Sequence, residues 1–302
     1  VLTARTVAEV RAALRPARRT EQRIGLVATM GALHAGHLSL LDHARQDCET
    51  VVMSLFVNPR QFNQATDLAG YPRDERRDGE LAAAAGVDVL FAPAPEAIYP
   101  PGFATTVSVG GPAAGLESDH RGSGHFDGVA TVVCKLLNIV GPAVAYFGEK
   151  DAQQVAVVRR MVADLDIATE IAVRPTVREP DGLAMSSRNT LLSPSQRARA
   201  DVMHQALSAV ATAVAGGERD PVLATAGGRE LLAAAGAELD YLELVDPATM
   251  RPVAVLEDDA LAVVAARLGA VRLIDNLAVP VRPALRDTEP TVATPMRAPT
   301  VS

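Results

Sequence analysis

Short, continuously apolar runs alternate with stretches of helical period through the first half of the chain. Ile24–Ala28, Val51–Val57, Val87–Phe91 and Ala143–Phe147 have the length, about five to seven residues, of strands buried on both faces. Between Gly128 and Val140, apolar residues fall at Val129, Val132, Val133, Leu136, Leu137 and Val140. That spacing predicts a helix with one face on a core. Val155, Val158, Met161 and Leu165 repeat the same period. Strands alternating with helices predict the doubly wound α/β class, a parallel sheet covered on both faces.

The pattern changes after Arg174-Pro175. Ser193-Pro194-Ser195-Gln196 reads as a helix start, with Ser193 as N-cap, Pro194 at the first helical position and Gln196 completing a capping box. The Ala-rich helix it opens is expected to run to Gly216-Gly217. A second Ala-rich helix, near Ala224–Ala235, precedes strand-like runs at Tyr241–Val245, Leu261–Ala266 and Val271–Ile274. The expected division is residues 1–174, a smaller α+β domain at 175–279, and a tail at 280–302. In the tail, Pro, Thr and Arg recur without an apolar period, which predicts disorder.

With 302 residues, 48% hydrophobic and 22% charged, the chain can bury a sizeable core. No apolar run approaches the roughly 18 residues of a membrane span. The basic stretch Arg5 to Arg23 lacks the apolar segment of a secretory signal. Cys48 and Cys134 are too few and too far apart for a disulfide or zinc framework, so a cytoplasmic protein with small core cysteines is expected. A net charge of −7 argues against a nucleic-acid surface. An anionic substrate would need local cations set against that background.

Candidate chemistry concentrates in four places. Thr29-Met30-Gly31-Ala32-Leu33-His34-Ala35-Gly36-His37 follows the first predicted strand, where open parallel sheets bind ligands. Gly31 and Gly36 let the backbone approach a phosphate, and the helix opening there offers free N–H groups. His34 and His37 share one face of its first turn and can stabilise charge on an attacked phosphate. A zinc pair or two surface histidines would also fit, although no further ligand cluster stands ready. Gly148-Glu149-Lys150-Asp151 ends another strand. There Lys150 suits phosphate oxygens and Asp151 a ribose hydroxyl, or the two form a solvated pair. Ser186-Ser187-Arg188 offers two hydroxyls and a guanidinium to β- and γ-phosphates, or simply a turn and helix cap. Gln61 can donate to a carboxylate without a salt bridge.

The His34-Ala35-Gly36-His37 stretch resembles the signature of the nucleotidylyltransferase superfamily, related to class I aminoacyl-tRNA synthetases. Five further blocks narrow the resemblance to the pantothenate synthetase family, in that family's order and spacing over residues 1 to 279. They are Phe56–Phe62, Tyr71-Pro72-Arg73, His125–Val129, Phe147–Asp151 and Met185–Asn189. The resemblance implies an ATP-dependent ligase that joins pantoate to β-alanine through an acyl-adenylate. It implies ATP contacts at Met30, Gly31, His34, Gly36, His37, Gly148, Lys150, Asp151, Val177, Met185, Ser186, Ser187 and Arg188. His37 stands at the proton-donor position, and His34, Lys150, Ser186, Ser187 and Arg188 share the catalytic assignment. Gln61, Gln154 and Met30 are implied pantoate contacts, and Gln61 also lies close to β-alanine. A Rossmann-like amino-terminal domain, a hinged carboxyl-terminal lid, a homodimer and Mg²⁺ are implied as well.

Arg60, Ala152, Ser123 and Arg77 depart from the common pattern. Arg77 stands where some relatives are acidic, leaving Asp78 as the candidate protein ligand for Mg²⁺; one carboxylate holds the ion weakly. The resemblance makes Arg121 a candidate pantoate or phosphate neighbour; His125 precedes the predicted helix in the same Gly-rich stretch, and His43 reads as a helix-surface residue. Two other readings stay open: a different nucleotidylyltransferase acting on a phosphorylated acceptor, and a non-catalytic homologue.

Overall fold

Every strand predicted in the first half enters one parallel sheet. The computed structural model describes residues 1–63, 65–122 and 124–281, without the side chains of residues 65–67. Among these residues the sheet comprises β1 (Leu2–Ala4), β2 (Ile24–Thr29), β3 (Thr50–Leu55), β4 (Val89–Phe91), β5 (Val144–Gly148) and β6 (Glu170–Arg174). Their spatial order is β1-β4-β3-β2-β5-β6, all neighbours parallel. The alternation of side chains along each strand feeds two cores. β2 sends Ile24 and Leu26 to one face, shared with helix Gly124–Val140, and Val27 to the other, shared with helix Ala35–Asp47. β5 divides in the same way, Ala145 and Phe147 against Val144 and Tyr146.

β1 and β6 were not predicted. Each lies at an edge of the sheet and pairs on one side only. β1 has three residues with Leu2 exposed, and β6 begins and ends on charged Glu170 and Arg174. An edge strand needs no continuous apolar run, so the signal used for the central strands was missing.

The second half builds an antiparallel sheet of β7 (Glu238–Val245), β8 (Ala260–Leu268) and β9 (Val271–Val279). Helices Val202–Ala215 and Pro221–Ala234 cover one face. The other face, with Tyr241, Val245, Leu261 and Val263, packs on Leu116, Ala152 and Ala156 of the first half. β8 is therefore apolar at every position but one, with Ala260, Ala262, Val264 and Ala266 toward the helices.

Two expectations need correction. Ser193 does cap a helix with Gln196 in a capping box, but that helix ends at Arg197. The chain turns at 198–201, burying Ala200 in the C-terminal core, and the Ala-rich helix starts afresh at Val202. Tertiary packing here overrides local propensity. The carboxyl-terminal packing also continues past residue 279. Val281 is buried, and its N–H donates to Asp259 at 3.0 Å. Ser123 and the remainder of the expected tail, 282–302, lie outside the described residues.

Candidate active site

From β2 the chain steps through β3 to β4 in one direction across the sheet, and from β5 to β6 in the other. The switch falls between β2 and β5, which are neighbours. Loops leaving their carboxyl ends part there and leave a crevice. Met30–His37 leaves β2 and Gly148–Asp151 leaves β5, so two motifs more than 110 residues apart in the sequence face one cleft of about 270 Å³.

His34 is the N-cap of helix Ala35–Asp47, and its Nδ1 accepts the Gly36 N–H at 3.1 Å. His37 returns the arrangement, its Nδ1 accepting the His34 N–H at 3.4 Å. The two rings lie 4.1 Å apart, centroid to centroid. Because each Nδ1 accepts, each neutral ring carries its hydrogen on Nε2 and can donate from that atom. Burial lowers the pKa of His34, reinforced by the charge of Lys150. Burial takes His37 down to about 3, with His34 the next cause and Asp151 opposing. Near neutral pH this is a pair of uncharged hydrogen-bond donors at a helix N-terminus.

Gln61 approaches from a second loop. Asn58 caps the short helix Pro59–Gln61, accepts from Tyr99 Oη at 2.8 Å and donates from Nδ2 to Gln61 Oε1 at 3.0 Å. Gln61 Nε2 points to Met30 Sδ at 2.9 Å, which fixes the amide's orientation. The loop lies directly against helix Gly124–Val140. A Cβ at Gly128 would overlap the Arg60 carbonyl oxygen, so only glycine fits. His125 Nδ1 lies 2.8 Å from the Gln61 carbonyl. Burial and the nearby Arg121 charge depress the pKa of His125 to about 4, so it donates to that oxygen as a neutral ring.

The remaining wall is brought in by β9. Asn276 Nδ2 donates to the carbonyls of Glu149 and Lys150, both at 2.9 Å, holding the β5 loop. Arg178 pairs with Asp275 at 2.6 and 3.1 Å and so fastens the segment from Val177 to Arg188 to the same strand. Ser186 caps the short helix Ser187–Leu191, its Oγ accepting the Arg188 N–H at 3.2 Å, which leaves the hydroxyl hydrogen free to donate. Among the described residues Arg188 has no ion-pair partner, and Lys150 has only Asp151 at 3.8 Å. Burial and the Arg121 charge lower the Arg188 pKa. A half-buried guanidinium without an ion-pair partner, beside an ammonium with one long pair, favours entry of an anion.

The cleft is lined by Met30, His34, Gly36, His37, Gln61, Gly148, Lys150, Asp151, Gln154, Val177 and Met185 to Arg188. Arg121 and His125 line it too, whereas His43 turns to Ser39 on its own helix. Two candidates stay outside. Gly31 acts through its backbone, at φ +93°. Asp78 is buried, with both carboxylate oxygens on backbone N–H groups: Ala32 at 2.8 Å and Leu33 at 2.9 Å. So placed, Asp78 faces the loop backbone and does not line the cleft. Sequence reasoning missed Asn58, Glu117 and Asn276. Nothing local marks them, since their partners lie in distant loops.

Fold and cleft define the class, a doubly wound α/β scaffold with a cleft at its switch point lined by two imidazoles, Lys150 and Arg188. Comparison with known proteins supplies the family. The model of the family described as pantoate-beta-alanine ligase matches residues 2–278. Pantothenate synthetase of Cereibacter sphaeroides is 51% identical over 276 residues, covering 91% of this chain and 98% of that protein. The Deinococcus radiodurans enzyme of the same name is 53% identical over 269 residues, covering 86% and 95%. The crystal structure of pantothenate synthetase from Thermus thermophilus superposes with a TM-score of 0.87 at 48% identity, covering 94% of this chain and all of that one. Pantoate-beta-alanine ligase from Francisella tularensis, complexed with beta-gamma ATP and beta-alanine, superposes with a TM-score of 0.77 at 35% identity, covering 92% and 97%. This chain belongs to the pantoate-beta-alanine ligase family.

Proposed function

We propose that the protein condenses (R)-pantoate with β-alanine, using ATP and releasing AMP and pyrophosphate. The observation that carries this reading is the meeting, in one cleft, of two Nε2–H imidazoles, an Arg188 guanidinium with no ion-pair partner among the described residues, the Lys150 ammonium paired only with Asp151 at 3.8 Å, and a fixed glutamine amide. In the first step a pantoate carboxylate oxygen bonds to the α-phosphorus and the bond to the β-phosphate bridging oxygen breaks, releasing pyrophosphate. In the second the β-alanine nitrogen bonds to the acyl carbon, the carbon–oxygen bond to AMP breaks, and the amine loses a proton. Alignment and charge stabilisation carry both steps, with no covalent enzyme intermediate.

Each group has a role in this scheme. His34 and His37 donate to the α-phosphate, where negative charge grows, and the triphosphate in turn raises the basicity of His37. Met30, Gly31 and Gly36 let the loop approach the nucleotide, while Gly148, Val177 and Met185 frame it and Asp151 takes a ribose hydroxyl. Lys150, Ser186, Ser187 and Arg188 meet the phosphate chain. Gln61 Nε2, beside Met30, orients the pantoate carboxylate together with Gln154 and lies near the entering amine. Magnesium accompanies the nucleotide phosphates; among the described residues no three His, Cys, Asp or Glu side chains form a group suited to hold it. Residues 175–279 act as a lid over residues 1–174, a reading supported by the Asn276 and Arg272 contacts across the cleft. A homodimer and a cytoplasmic location belong to the same proposal. Among the described residues no helix is long and apolar enough to cross a membrane.

Pyrophosphate release tests the proposal. Release should require ATP, magnesium and pantoate, and should become continuous turnover on addition of β-alanine. Folded protein that releases none with pantoate would sink the reading.

A further inference from the structure

We infer that Arg77 and Asp78 form a clasp that holds the histidine loop in its working conformation, and that Asp78 is a positioning residue. The loop needs such a clasp. Gly31 has φ +93° and Ala32 has φ +52°, two consecutive residues in the left-handed region, the second of them with a side chain. A Cβ at Gly31 would stand 2.9 Å from Asp78 Oδ2 and 3.0 Å from Leu55 Cδ1, so the turn and the carboxylate fit closely.

The clasp comes from one turn of helix Glu75–Ala84, which Asp74 caps by accepting the Arg77 N–H. Asp78 takes the N–H groups of Ala32 and Leu33, while Arg77 Nη1 donates to the Leu33 carbonyl at 3.3 Å. One residue later His34 begins the cap that orients both imidazoles. Arg77 also lies 3.8 Å from Asp78 Oδ1. A guanidinium there repels a divalent cation, and the carboxylate, 1% exposed and turned to the loop backbone, is shut away from the cleft. The residues therefore do not fit a magnesium site, and the family's metal enters with the nucleotide instead. Removing the carboxylate would leave two loop N–H groups without their acceptor and release the turn on which the histidines depend.

This inference rests on the proposed adenylation reaction, so its test carries one reading of rate and one of loop geometry. Asp78→Asn and Asp78→Ala are compared with wild type in pantoate-dependent pyrophosphate–ATP exchange across a magnesium titration. Imidazole ¹⁵N shifts are recorded on the same proteins without nucleotide. We expect kcat to fall about 100-fold in Asp78→Ala and about 10-fold in the isosteric Asp78→Asn. KM for pantoate and the magnesium midpoint should stay within about twofold, and the His34 and His37 tautomer signals should change. A magnesium midpoint displaced tenfold, with kcat restored at high magnesium, would make Asp78 a metal ligand and overturn the proposal. So would unchanged exchange and unchanged imidazole shifts in a folded variant. If Asp78→Ala fails to fold, Asp78→Asn decides alone. If wild type shows no exchange, the functional reading fails while the imidazole shifts still decide the clasp.

Discussion

His37 and Glu117 line the same cleft and are both drawn out of water, yet they reach opposite charge states. Burial works against charge on each of them. Among the described residues no carboxylate is hydrogen-bonded to His37; burial, with the His34 ring and Lys150 outweighing Asp151, takes its pKa down to about 3. Glu117 sits between partners from both halves of the chain. Arg272 of β9 donates two bonds at 2.9 and 2.7 Å, Tyr241 of β7 one at 2.8 Å, and Arg121 another. These donors outweigh burial and hold the carboxyl well below the usual range. The same carboxylate pushes the Tyr241 phenol up, adding to burial. Arg272 is shared with Asp240 at 2.6 Å, so the cluster is closed. The wall that joins the two halves is electrostatically complete, and the wall that meets substrate is left incomplete until an anion arrives.

The sharpest way to break this comparison is to remove the centre of the closed cluster. Glu117→Ala leaves Arg121 without its acceptor and Arg272 with Asp240 alone. It should cost about 3–5 kcal/mol in denaturant unfolding. A loss below about 1 kcal/mol would mean that the cluster is solvated and that the contrast is false. On the incomplete wall, His37→Ala should lower pyrophosphate–ATP exchange by roughly 10²–10³-fold with an unchanged circular dichroism spectrum. Exchange near the wild-type rate would remove the histidine wall from the chemistry.

Acidification separates the two walls more gently. Below the ordinary histidine pKa of 6.5 the unfolded chain protonates at position 37 while the folded protein resists until about pH 3. The unfolded state then binds more protons, so stability is lost as pH falls. Glu117 acts lower down. Its contribution is complete above the ordinary carboxyl value of 4.5 and is lost below it. His37→Gln should therefore flatten the stability profile between pH 6.5 and 4.5, although His34 and His125 keep part of the slope. An unaltered slope in chemical denaturation across that window would show that His37 titrates normally. The smallest effect is expected at an exposed pair. Arg76→Ala, which breaks the bond to Glu80 at 2.7 Å, should change stability by no more than about 0.5 kcal/mol. A larger loss in the same unfolding assay would mean that burial is not what separates strong pairs from weak ones here.

By itself the amino-acid sequence determined what depends on neighbours along the chain. The central strands are continuous apolar runs, the helix ending at Val140 is an apolar stripe, and the His34 and His37 spacing follows from one turn of helix. The family was legible for the same reason, because its blocks are local and stand in order. Edge strands β1 and β6 were not, since one has three residues and the other is bounded by charges, so neither shows such a run. The tertiary structure alone decided the contacts made at long range. Asn276 reaches carbonyls 126 and 127 residues away, and Arg272 meets Glu117 across 155. Asp78 shows the difference most plainly. In the sequence it is an acidic residue beside an arginine, equally suited to a metal, a helix turn or solvent. Only folding brings Ala32 and Leu33, some 45 residues upstream, to within hydrogen-bond distance and directs its lone pairs at them. A carboxylate's role is set by which donors surround it, and those donors are gathered by packing.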